Sequence, residues 1–278
     1  TQFDHEMMAL AIQLANKGML STRPNPRVGC VIVKENQIIG RGWHQRAGQP
    51  HAEILALANA GNNAQGATVY VTLEPCSHQG RTPPCCDALI KAGVGKVIAA
   101  MRDPNPQVAG RGLTALQKAG IETACGLLEA SANELNPGFI KRMTKQQPWV
   151  KCKMAMSLDG KTAMADGQSK WITSLEARTD AHYQRALCGA IITGIGTVEA
   201  DNPQLTVRRE DFAQTEIAQP LRVILDPKLD ISSDSQILHI DENVLVVFAE
   251  ADTERHRKLS ELGIDLLELN DSNSRIDL

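Results

Sequence analysis

The chain has 278 residues, 42% of them hydrophobic and 22% charged, with a formal net charge of −3. That balance argues against a protein that grips nucleic acid through a broad phosphate footprint. No stretch approaches the ~20 apolar residues of a membrane span, and no secretory leader is expected ahead of the first helix. In chain order, the first expected element is a helix capped by Asp4, with an apolar face of Met7, Met8, Ala11, Ile12 and Ala15 and a stop at Gly18. Val28 to Val33 and Ile38 to Trp43 read as a hairpin turning at Glu35-Asn36. A helix from Ala52 to Ala60 ends at Gly61, and Thr68 to Leu73 forms a strand that runs into Glu74-Pro75-Cys76. Cys85 to Ala92 is a helix stopped by Gly93, Lys96 to Ala100 a strand, and Leu113 to Ala119 a helix stopped by Gly120. This alternation predicts a three-layer α/β sheet, mostly parallel after the opening hairpin.

The polar stretch from Lys141 to Pro148 lacks apolar periodicity and predicts a boundary, giving domains over 1–145 and 146–278. A second α/β pattern follows it. Trp149 to Met156 is expected as a strand, and Ser174 caps a helix to about Leu187. Strands are expected at Ala190 to Thr193, Arg222 to Leu225 and Val244 to Phe248, then a helix from Thr253 to Leu262 and a strand from Asp265 to Leu269.

The residues that carry chemistry are His51-Ala52-Glu53, Pro75-Cys76 and Cys85. Zinc held by three protein ligands keeps a fourth position for water and lowers its pKa toward ~7. Glu53, two residues from His51, can stay off the metal and shuttle protons from that water to a departing amine. The usual deaminase spacing places the second cysteine three residues after the first. Here that position is Gln79, so Cys76 and Cys85 flank an enlarged loop, and Cys86 and His78 compete with Cys85 as the third ligand. Cys85 is preferred because Pro83-Pro84 leads into a helix start, where a thiolate suits the helix dipole. The alternative is a closed structural zinc site, which would leave Glu53 without a task. The cysteines number seven, show no disulfide-scaffold spacing, and fit a reducing cytoplasm.

The second half is less explicit. Thr193-Gly194-Ile195-Gly196-Thr197 lies between an expected strand and a short helix, where backbone N–H groups can approach a phosphate. A strand-to-helix turn also needs glycine for purely local reasons. Arg185 and Arg208 are able to hold a phosphate bidentately, although a single arginine is more often a solvated surface residue.

Together these residues resemble the bacterial bifunctional riboflavin-biosynthesis deaminase/reductase family. The resemblance rests on Pro24-Asn25-Pro26, Gly48 to Glu53, Val71 to His78, Gly80 to Cys85, Asp103-Pro104-Asn105-Pro106 and Gly110-Arg111-Gly112. In the second half it rests on Ser157 to Lys161, Trp171 to Ser174, and Gly196-Thr197 through Asp201-Asn202-Pro203. It implies a cytidine-deaminase-like α/β/α domain followed by a dihydrofolate-reductase-like α/β domain. The implied substrate is a small phosphoribosylaminopyrimidine, which loses a ring amine and then has its ribose reduced to ribityl with NADPH. It implies zinc on His51, Cys76 and Cys85, with Glu53 catalytic and Asn25 and His44 touching the pyrimidine or its ribose. Ala155, Trp171, Thr197 and Asp201 would line the NADPH site. Ser169, Arg185, Leu205 and Arg208 would hold the substrate phosphate and sugar. A homo-oligomer joined through the reductase domain is expected, with no nucleic acid or membrane partner. Family members continue into a Glu- and Gly-rich segment that completes the cofactor site, so a chain ending at Leu278 is expected to carry an incomplete reductase half. The competing readings are a zinc nucleoside or tRNA deaminase with an accessory α/β domain, and a non-enzymatic module with structural zinc.

Overall fold

The structure is a computed structural model that describes residues 1–278 apart from 80–82, 107, 209–216, 241–242 and 278. Part of the expected Gly80 to Cys85 motif and the terminal Leu278 therefore lie outside the described residues. The chain forms two compact units, Thr1–Lys153 and Met154–Leu278.

The first unit is built on a five-stranded sheet. Its strands are β1 (Gly29–Lys34), β2 (Gln37–Trp43), β3 (Thr68–Val71), β4 (Lys96–Ala99) and β5 (Glu122–Cys125), in the order β2-β1-β3-β4-β5. β1 is antiparallel to β2 and β3, while β3, β4 and β5 are mutually parallel. Glu35 and Asn36 both take positive φ in the β1–β2 turn, as a tight two-residue hairpin requires. Helices α2 (Ala52–Ala60), α3 (Cys85–Lys91) and α4 (Arg111–Lys118) supply the core of one face. Helices α1 (Gln2–Asn16), α5 (Glu129–Leu135) and α6 (Pro137–Lys145) supply that of the other.

The central strands read as unbroken apolar runs because both faces are covered. Cys30 and Ile32 enter one core while Val31 and Val33 enter the other, and Val69 and Val71 alternate with Tyr70 in the same way.

Several local expectations shift. Thr1, not Asp4, is the N-cap of α1. Asp4 sits at the third helical position, closing a capping box with Thr1, and accepts a hydrogen bond from the Tyr70 hydroxyl. The polar stretch taken as a boundary contains the end of α6, whose Phe139 and Ile140 pack against the core. The strand β5 and the helix α5 were not expected.

Helix α2 lies directly on β2. A Cβ on Gly42 would stand 2.3 Å from the Ala52 carbonyl oxygen and 2.6 Å from the Ala56 nitrogen. Neither backbone atom can move without shifting the helix that starts at His51. Gly42→Ala is therefore expected to lower stability by ~1–3 kcal/mol or more, the usual cost of overpacking. Chemical denaturation of the variant checks this; an unchanged midpoint contradicts the contact.

The second unit has a four-stranded, wholly parallel sheet in the order β6-β7-β8-β9. Its strands are β6 (Ala190–Gly194), β7 (Leu221–Leu225), β8 (Val244–Phe248) and β9 (Asp265–Glu268), with helices α7 (Leu175–Ala186), α8 (Ile195–Asp201) and α9 (Thr253–Glu261). Its core gathers Val198, Ile224, Ile237, Val246, Phe248 and Leu259. The strand expected from Trp149 to Met156 does not form. Apolar residues in an extended segment make a strand only where a sheet edge supplies ladder hydrogen bonds, and here Val150 and Met154 stand exposed.

Candidate zinc-dependent active site

Three side chains converge at one end of the first sheet. His51 is the N-cap residue of α2, Cys85 is the first residue of α3, and Cys76 follows the strand β3. Helix starts and strand ends meet here because parallel α/β sheets bring them to the same edge. The ligand atoms of His51, Cys76 and Cys85 all lie within 4.8 Å of one another.

The donor set fits zinc. Bonds of about 2.0–2.3 Å at tetrahedral angles place a nitrogen and a sulfur about 3.6 Å apart. His51 Nδ1 stands 3.2 Å from Cys85 Sγ and 3.6 Å from Cys76 Sγ. Hydrogen bonding from Cys85 holds the Cys76 thiol well below its ordinary value, and the same contact pushes Cys85 up. A cation beside both thiolates relieves that conflict. The hydrogen bond to Cys76 likewise raises His51 above the ordinary histidine value.

Cys86 points elsewhere. Its thiol donates to the carbonyls of Pro75 and Gly112 at 3.3 and 3.5 Å, and burial pushes it up to about 12. His78 is exposed and is not part of the ligand cluster.

Glu53 occupies the first turn of α2 and is 3% exposed. Burial, reinforced by the nearby Cys76 charge, pushes its carboxyl up to about 7. A carboxyl near neutrality takes and returns a proton with little penalty either way.

A cleft of about 430 Å³ opens onto these residues. Asn25 and His44 line it, together with Asp103, Asn105 and Phe139. His44 Nδ1 donates to the Pro50 carbonyl at 3.2 Å, so the ring's Nε2 accepts from the Asn25 amide at 3.1 Å. Burial holds His44 below the ordinary histidine value, which matches that neutral form. Asp103 and Asn105 were not nominated from the sequence. A polar pair alternating with two prolines, Asp103-Pro104-Asn105-Pro106, was the available signal.

In the second unit, Arg185 and Arg208 meet around residues 204–208. Arg185 donates to the Thr206 carbonyl at 2.6 Å. Arg208 donates to the Thr206 hydroxyl at 3.0 Å and to Gln204 Oε1 at 2.7 Å. Leu205 lies between them in sequence with positive φ. Burial and the neighbouring Arg208 charge pull the Arg185 guanidinium below its ordinary value. The Ser169 hydroxyl lies 3.4 Å from Asp201 Oδ1. Trp171 is exposed beneath the Arg178 guanidinium, 4.4 Å from the ring centroid. Thr197 is in α8, and Ala155 lies in the segment that forms no strand. A Cβ at Gly194 or Gly196 would meet open space, so the β6–α8 turn is accessible to a ligand.

Comparison with known proteins agrees with this geometry. Residues 1–101 match the family model of the cytidine and deoxycytidylate deaminase zinc-binding region, and residues 148–277 match that of the RibD C-terminal domain. The riboflavin biosynthesis protein RibD of Escherichia coli K12 is 55% identical over 80% of this chain and 63% of its own length. A solved Acinetobacter baumannii RibD is 50% identical, with a TM-score of 0.91 over 98% of this chain and 75% of that one. A Thermotoga maritima structure described as a diaminohydroxyphosphoribosylaminopyrimidine deaminase/5-amino-6-(5-phosphoribosylamino)uracil reductase is 39% identical, with a TM-score of 0.81 over 96% of this chain and 81% of that one. The chain thus spans 63% to 81% of these relatives. It belongs to the RibD family of riboflavin biosynthesis, joining a deaminase zinc-binding region to a RibD C-terminal domain.

Proposed function

We propose that the first unit hydrolytically deaminates 2,5-diamino-6-(5-phosphoribosylamino)pyrimidin-4-one, and that the second takes part in NADPH-dependent reduction of the ribosyl group to ribityl. The observation that carries the first step is the cluster of His51, Cys76 and Cys85, with His51, Cys76 and buried Glu53 lining one cleft. His51, Cys76 and Cys85 would hold zinc, which would supply the Lewis acidity that makes water a nucleophile at neutral pH. Glu53 takes a proton from the attacking water and delivers it to the amine, which leaves as ammonia. Neutral His44 and Asn25 face the pyrimidine or its ribose. Ammonia release from the diaminopyrimidine, lost on chelation and regained with zinc, tests this reading. Release that ignores the chelator sinks it.

In the second unit Arg185 and Arg208, with Leu205 and Ser169, hold the substrate phosphate and sugar. Residues Gly194 to Asp201, Thr197 among them, with Trp171 and Ala155, would hold NADPH, which would supply the hydride for the reduction. Paired arginines suit a phosphate dianion because their planar forks bind it bidentately. In a chain that carries the C-terminal segment expected to complete the cofactor site, Arg208→Ala is expected to raise the KM of the reduction about tenfold or more, the size of one lost charge-assisted hydrogen bond, and to leave deamination unchanged. Impaired deamination with normal reduction contradicts the assignment.

The match of residues 148–277 to the RibD C-terminal domain weighs against a nucleoside or tRNA deaminase with an unrelated second domain. Among the described residues no helix is long and apolar enough to cross a membrane. All seven cysteines are free thiols, which favours a reducing cytoplasm. Copies associate through the second unit, where Ile192 on β6 and Leu267 on β9 expose apolar surface. Light scattering of the purified protein reads this last point, and a monomer contradicts it.

A further inference from the structure

Glu74 is a buried carboxylate that lines the same cleft and has been given no role so far. It sits between β3 and the ligand Cys76 and is 3% exposed. Both of its oxygens are used by backbone donors from one distant segment. Oε2 accepts from the N–H groups of Asp103 and Gly110 at 3.1 and 2.9 Å. Oε1 accepts from those of Gly112 and Leu113 at 2.9 and 3.2 Å. Two of the four donors belong to the first turn of α4, whose own N-cap, Gly110, has no side chain to offer. Glu74 therefore caps that helix from another part of the chain, and its charge complements the helix dipole.

The same contacts fix what lies before α4. Asp103 is held by its own N–H, and its carboxylate accepts from the Asn105 N–H at 2.9 Å. The Asn105 carbonyl accepts from Val108 and Ala109 at 2.9 Å each, closing the turn toward Gly110. Asp103 and Asn105 are the two polar residues that this segment contributes to the lining of the cleft. Gly112 packs closely on the same stretch of chain as Glu74, since a Cβ there would stand 2.1 Å from the Pro75 carbonyl oxygen. Glu74 thus holds the backbone of cleft-lining Asp103 directly, and that of Asn105 through the Asp103 carboxylate.

We propose that Glu74 is a positioning residue for deamination, holding the backbone at Asp103, Gly110, Gly112 and Leu113 so that Asp103 and Asn105 meet the substrate. The proposal rests on the deaminase reading above. An amide at this position keeps the shape but turns N–H groups toward backbone N–H donors, because glutamine cannot present two acceptors. The segment then shifts, and substrate contacts weaken more than the chemistry, since His51, Cys76, Cys85 and Glu53 lie outside it.

The test measures kcat, KM and zinc content for deamination by the zinc-loaded full chain. Glu74→Gln is expected to keep its zinc and to raise KM about 10- to 100-fold with a smaller change in kcat, the scale on which a small misplacement acts. Combined with Asn105→Ala it should add little to the KM of Asn105→Ala alone, because both act through one segment. An ordinary KM, a fall in kcat that merely follows lost zinc, or fully additive effects each overturn the proposal. Should Glu74→Gln not fold, Glu74→Asp decides. It keeps the charge but falls short by one methylene, so a raised KM supports the proposal and an unchanged one overturns it. Absence of deamination in the unaltered protein removes the deaminase reading and this proposal together. Normal deamination with an unaffected Glu74→Gln removes this proposal alone.

Discussion

Glu53→Gln is expected to lower the deamination rate by about 10²–10⁴-fold, the usual worth of a general acid–base residue, while the protein keeps its zinc. The loss should sit toward the upper end because one carboxyl serves both the attack of water and the departure of the amine. Stability should hold. Burial pushes Glu53 up to about 7, so the fold already disfavours its charge. A neutral amide of the same shape removes that cost without opening a cavity. The ligand atoms belong to His51, Cys76 and Cys85, so metal content should match that of the unaltered protein. Near-normal deamination by Glu53→Gln takes Glu53 out of the mechanism. Loss of zinc with the activity makes its role structural instead.

Cys85→Ser should empty the metal site, whereas Cys86→Ser should leave it full. A hydroxyl does not ionise as a thiol does and is a poor zinc ligand, so the first variant leaves two ligands where a catalytic site needs three. Cys86 donates to the carbonyls of Pro75 and Gly112, a task a serine hydroxyl can perform. The two residues are adjacent, so a general weakening of α3 would touch both variants alike. Only a ligand role separates them. Metal analysis after dialysis reads the result, and full zinc in Cys85→Ser with none in Cys86→Ser reverses the assignment.

His51-Ala52-Glu53, Pro75-Cys76 and the Cys85-Cys86 pair were readable in the chain because catalytic zinc accepts few residue types and keeps them at helix starts and strand ends. The strands β1, β3 and β4 were readable too, as apolar runs bounded by turn residues. Their covering on both faces made the runs continuous and so easy to see. Cys85 and Cys86 were harder to separate, since both open the same helix. The fold separates them by turning Cys85 toward His51 and Cys86 toward the Pro75 and Gly112 carbonyls. Asp103 and Asn105 reach the cleft because Glu74, about thirty residues earlier in the chain, gathers four backbone donors around itself. No local pattern announces such a contact. The stretch from Trp149 to Met156 failed as a strand for the complementary reason: its residues suit a strand, but strand formation is a property of two chain segments. Helix caps, turns and metal-ligand spacing act over a few residues and can be read along the chain. Sheet pairing, the choice between neighbouring thiols and the lining of the cleft depend on residues that meet only after folding.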